Sequence, residues 1–92
     1  MTHKRERLEI IHDILKALQN KGGTLKPTHI LYKSNLSHQM LTEYLTDLIE
    51  KGFITEEEDK KENKFYTITE KGLHFLTDFK VIKNFMESYG LD

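Results

Sequence analysis

Apolar residues recur along this chain at intervals that change with position, and those intervals define the elements. Leu8, Ile11, Ile14, Leu15 and Leu18 fall three and four residues apart, so residues 4–20 are predicted to form an amphipathic helix that Gly22-Gly23 ends. Thr24-Leu25-Lys26 has room only for an edge strand or an extended link. Pro27 suits the first turn of a second helix, where a missing amide is no loss and the fixed φ is already helical. Ile30, Leu31 and Tyr32 would supply its buried side over two turns, until Ser34-Asn35 breaks it. Ser37 can cap a third helix by accepting from the free amides of its first turn. Leu41, Leu45, Leu48 and Ile49 carry that helix's apolar stripe as far as Gly52, and its other side is His38, Gln39, Thr42, Glu43, Thr46 and Asp47.

Two β-rich runs follow, Phe53-Ile54-Thr55 and Phe65-Tyr66-Thr67-Ile68-Thr69. Residues 56–64 between them hold no apolar side chain, which predicts a hairpin with a solvated, charged tip. A last helix should start at Thr69 or Glu70 and run to about Tyr89. Phe75, Phe79, Ile82, Met86 and Tyr89 step along it by four, three, four and three residues, the spacing of a coiled-coil seam. Leu76, Val81 and Phe85 lie beside that seam. One helix with so much apolar surface cannot hide it all against a domain this small, so a partner helix is expected, most simply from a second copy. Phe75, Leu76 and Phe79, over the first turns, can also close the core of their own chain. Beyond Lys80, the side chains pass the end of a compact three-helix core.

Charge divides the chain. Residues 1–33 carry seven Lys or Arg against three acids, residues 34–64 four against eight, and the whole sums to a net −1. The basic arm Lys4, Arg5 and Arg7 and the lysines of the hairpin are candidates for phosphate contact; the third helix offers Glu43 and Asp47 and no base before Lys51. A carboxylate accepts from cytosine but repels phosphates, so basic contacts elsewhere must offset these acids. Cysteine is absent, which excludes disulfides, thiolate metal sites and cysteine nucleophiles. The five histidines, at positions 3, 12, 29, 38 and 74, include no pair spaced three or four apart, and no phosphate loop or calcium loop is present. A binding module without cofactor or metal is expected, rather than an enzyme. With no long apolar run and a charged beginning, the chain reads as one soluble, cytoplasmic domain, not a membrane protein.

Two short helices across a tight break, then Leu48-Ile49-Glu50-Lys51-Gly52-Phe53-Ile54, a charged hairpin and Ile68-Thr69-Glu70-Lys71-Gly72 resemble winged-helix regulators. With Tyr32-Lys33-Ser34-Asn35-Leu36-Ser37 and the long apolar last helix, the chain is most similar to the small archaeal winged helix-turn-helix DNA-binding proteins that dimerise through a C-terminal antiparallel coiled coil. The resemblance implies a mainly α fold with a small β-hairpin: a winged helix-turn-helix domain over residues 1–72 and a dimerisation helix over residues 73–92, continuous with it. It implies that the third helix enters the major groove of double-stranded DNA through His38, Gln39, Thr42, Glu43 and Thr46. Lys33, Ser34 and Asn35 in the break, and Lys60, Lys61, Asn63 and Lys64 in the wing, would then meet the backbone. Phe75, Phe79, Ile82, Phe85, Met86 and Tyr89 would form the homodimer interface. On this reading the chain is a transcription regulator or a chromatin-type protein. The acidic middle also fits a winged-helix module that binds a basic protein partner without DNA.

Overall fold

A computed structural model describes residues 7–91. The elements run in the expected order: α1 (Arg7–Asn20), β1 (Thr24–Leu25), α2 (Pro27–Ser34), α3 (His38–Glu50), β2 (Ile54–Glu58), β3 (Lys64–Ile68) and α4 (Glu70–Ser88). The strands form one antiparallel sheet in the order β1-β3-β2, with Leu25 opposite Tyr66, and Ile54 opposite Ile68. Ile14, Leu15 and Leu18 of α1, Ile30 of α2, Leu41, Leu45 and Leu48 of α3, Ile54 and Ile68 of the sheet and Leu76 of α4 close a single core. Among the described residues, no helix is long and apolar enough to cross a membrane.

Local chemistry sets the ends of α3. The Ser37 hydroxyl accepts from the Met40 amide at 3.2 Å, as an N-cap should. At the other end Phe53 donates its amide to the Leu48 carbonyl and Gly52 donates to Ile49, the paired bonds of a Schellman ending. That geometry needs a left-handed residue, and Gly52 holds φ at 81°.

The Thr69-Glu70-Lys71-Gly72 run is explained by the joint it makes. Thr69 donates its hydroxyl to the Gly52 carbonyl at 2.7 Å and accepts from the Gly72 amide at 3.2 Å, so one side chain caps α4 and ties it to the exit of α3. Lys71 donates to the Lys51 carbonyl at 2.7 Å and lies over the Phe53 ring. Gly72 is buried, and a Cβ there would stand 2.5 Å from the Phe53 carbonyl oxygen and 2.6 Å from Ile68 Cγ1.

Four expectations need correction. β2 continues through Glu56, Glu57 and Glu58, so these acids belong to a strand and the tip is only residues 59–63. Strand pairing overrides their low β propensity, because Tyr66 opposite Glu56 donates to its carboxylate at 3.2 Å. Tyr32 is not buried but 84% exposed: with Ile30 and Ser34 turned inward four residues apart, the position between them faces out. Leu8, on the predicted apolar stripe of α1, is likewise exposed. Phe75 and Phe79, placed in the dimer seam, pack within the chain. Phe75 meets Phe53 edge-on at 5.7 Å between centroids, and Phe79 stacks on His12 of α1 at 4.3 Å, because α4 crosses α1 before it leaves the core.

Replacing Gly72 with Ala drives a methyl into backbone, so we expect a loss of about 1–3 kcal/mol, the usual range for overpacking. Thr69→Ala removes the cap and should cost about 0.5–2 kcal/mol. Urea unfolding followed by circular dichroism checks both; a Gly72→Ala chain as stable as the parent would show that the joint has slack.

Candidate nucleic-acid interface

The rotational setting of α3 decides which residues it offers outward. Leu41, Leu45 and Leu48 are buried on one stripe, and at about 100° per residue the opposite line runs through Gln39, Glu43 and Thr46. All three are exposed. His38 and Thr42 sit on the flank, facing the hairpin across a cleft of about 420 Å³. Leu31, Leu45 and Ile49 line that cleft from the helices, and Glu56, Lys64 and Tyr66 line it from the strands. The five groove candidates are thus brought together, Gln39 and Glu43 on the outermost line, His38 and Thr42 beside the wing, and Thr46 between them, lining the same cleft. Both threonine hydroxyls are already engaged as donors, Thr42 to the His38 carbonyl at 3.0 Å and Thr46 to the Thr42 carbonyl at 2.9 Å.

Asp47 does not belong to this face. Its carboxylate is bonded to Arg7 of α1 and to Lys51 one turn on. The Lys51 hydrogen bond, with the charges of Lys51 and Arg7, holds the carboxyl below its ordinary range. Arg7, expected to meet phosphate, is committed instead to α3, where its guanidinium also lies 5.5 Å from the Tyr44 ring centroid. Lys4 and Arg5 lie outside the described residues.

The turn and the wing hold the remaining candidates. Lys33 and Asn35 are exposed, Asn35 in the left-handed conformation that ends α2 with φ 55°. Ser34 is fully buried and donates to the Leu31 carbonyl, so it faces the core and is withdrawn as a backbone contact. Sequence reasoning missed its neighbour Tyr32, which projects from α2 beside Lys33; only the inward spacing of Ile30 and Ser34 could have revealed it. In the wing, Asp59 accepts from the amides of Lys61 and Asn63 and from the Asn63 side chain. The two backbone bonds, Asn63 first, hold its carboxyl below the ordinary range and fix the shape of the tip. Lys64 lies 3.8 Å from Glu56, so its charge is partly matched, while Lys60 and Lys61 form no ion pair among the described residues. Burial pushes the Tyr66 phenol above its usual range, and the charge and hydrogen bond of Glu56 add to the rise. Among the described residues, no group of His, Asp and Glu is placed to hold a metal ion.

A carboxyl held low in the folded chain contributes stability above the ordinary carboxylate range, and that contribution is lost as pH falls through its folded value. Asp47→Asn should therefore lower the urea midpoint near neutral pH, and the difference from the parent should shrink as pH falls below the ordinary carboxylate range. Equal midpoints at neutral pH would mean that Asp47 does not hold α1 to α3.

A family model described as winged helix-turn-helix matches residues 4–87. An uncharacterized protein of Methanocaldococcus jannaschii is 39% identical over 69 residues, which is 75% of this chain and only 29% of the relative's length. Among solved structures, the fold is similar to Sso10a-2, a DNA-binding protein from Sulfolobus solfataricus. That match has a TM-score of 0.80 and 25% identity, and covers 92% of this chain and 85% of the other. It is also similar to F93 from STIV, a winged-helix DNA-binding protein, at TM-score 0.69 and 26% identity over 86% and 90% of the two chains. The capped third helix, the hairpin wing beside it and the match along nearly the whole sequence together establish that the chain belongs to the winged helix-turn-helix family.

Proposed function

We propose that this protein binds double-stranded DNA as a homodimer and acts as a transcription regulator or chromosome-organising protein, without catalysing a reaction. The observation that carries the reading is the outward line of α3, Gln39, Glu43 and Thr46, left uncovered by its own chain with the wing alongside. Docked in the major groove, α3 presents Gln39 to base edges, while His38 and Thr42 meet the groove wall. Lys33 and Asn35 in the turn, with Lys60 and Lys61 at the wing tip, take backbone phosphates; Asn63 and Lys64 shape the wing beneath them. Two structurally similar proteins that bear DNA-binding in their names support this reading.

Residues 73–92 serve dimerisation in this reading. Val81, Ile82, Phe85 and Tyr89 are each more than half exposed on α4, and Met86 is half-buried. Apolar surface of that extent on one helix is the mark of an interaction site, and a second copy of α4 covers it most simply. A dimer doubles each modest contact and joins the two sites at a high effective concentration. One observation favours a second reading, binding of a basic protein partner. Glu43 on α3 and Glu56, Glu57 and Glu58 on β2 are all exposed.

The experiment is fluorescence anisotropy on a generic duplex across a salt series. Three lysines per subunit, six per dimer, imply about a thousandfold loss of affinity between roughly 50 and 200 mM salt. Lys33→Ala should weaken all duplexes alike and flatten the slope by about one per subunit, whereas Gln39→Ala should alter base preference. No binding at low salt, with recovery of a protein partner that DNA does not displace, favours the second reading. Sedimentation should give twice the 10.9 kDa chain mass, and Phe85→Glu should halve it and weaken DNA binding; a monomeric parent contradicts the dimer.

A further inference from the structure

α3 carries three acids on the side turned from the core: Glu50 is its last residue, away from the N-terminal part of a helix that reaches base edges, and the fold treats the other two differently. Asp47 is neutralised by Arg7 and Lys51. Glu43, one turn earlier and opposite the buried leucines, makes no hydrogen bond or ion pair among the described residues. We infer that Glu43 is the discriminating residue of the interface and takes a cytosine, its carboxylate accepting from the exocyclic N4 amine. This rests on the duplex-docking reading above and names what that face selects.

Donor and acceptor counting leads to that base. A carboxylate only accepts, so on docking the water it loses must be replaced by a donor, or the buried charge stays unsatisfied. Its neighbours do not meet that need in the structure: the Thr42 and Thr46 protons are given to the carbonyls of α3 itself, and Gln39, one turn earlier, makes no hydrogen bond among the described residues. On the major-groove edge guanine and thymine present acceptors, and donors stand only at cytosine N4 and adenine N6. Adenine's amine is flanked by acceptors on both sides, its own N7 and the O4 of the paired thymine. Cytosine's amine has one on one side only, the O6 of the paired guanine, with a C–H on the other. A carboxylate is therefore repelled least by cytosine. The same charge faces phosphates unfavourably in any other register, so it weakens binding to sites that lack the base and widens the gap between right and wrong sequences.

Selection of a randomised duplex library on the purified full chain, followed by sequencing, tests this. The parent should enrich one cytosine position by about tenfold over other bases. Glu43→Ala should flatten that position while binding generic duplex more tightly. Glu43→Gln should shift it toward adenine, whose N6 and N7 suit an amide. Both variants sit at an exposed, unpaired position, so neither change should alter thermal unfolding. A parent that binds duplex without a cytosine position, or a Glu43→Ala chain that keeps it, overturns this inference and leaves DNA binding standing. A parent that retains no duplex at low salt overturns the docking reading and this inference with it.

Discussion

Three leucines on one stripe of α3 govern what the rest of the molecule can do. Burial of each is worth about 1.5–3 kcal/mol, so turning the helix by one residue's rotation would cost several kcal/mol. The helix therefore has one setting, and that setting pushes Gln39, Glu43 and Thr46 outward. Its ends are equally constrained. Ser37 holds the start, and the Gly52–Phe53 closure hands the chain directly to β2, while Thr69 bonds back to Gly52 so that the wing's return strand and α4 are tied to the same point. Reading helix, wing and last helix meet at one joint, and a fault there would disturb all three.

Charge complements this packing. A chain of net charge −1 is a poor generic polyanion binder, yet several of its acids are matched internally. Asp47 pairs with Arg7 and Lys51, Asp59 is capped by wing amides, and Glu56 takes both Tyr66 and Lys64. Lys33, Lys60 and Lys61 are left exposed on the turn and the wing tip, and on α3 Glu43 and the terminal Glu50 are exposed with no partner among the described residues. Local pairing, rather than the total, decides which charges a ligand would meet.

Much of this was legible in the sequence. The leucine stripe of α3, the Ser37 cap, the glycine ending of α3 and the helix start at Thr69 are local signals, set within a few residues, and each lies where the pattern put it. Errors arose where distant residues decide. The acids of β2 looked like loop until pairing with β3 supplied their partners. Arg7 looked free because Asp47 is forty residues away in the chain. Phe79 fitted both the seam and the core of its own chain, because nothing in its spacing announces His12 of α1 as its cover. Ser34 and Tyr32 exchanged roles because a two-turn helix is too short for periodicity to fix its rotation.

The central claim, that the uncovered line of α3 and the neighbouring wing receive a duplex, is tested most directly by an NMR titration of the labelled chain with a short duplex. Amide shifts concentrated from His38 to Thr46 and from Lys60 to Lys64, with the end of α4 unchanged, are the result this account predicts. Shifts confined to α4 or to the face of α1, or none at any ratio in low salt, would contradict it.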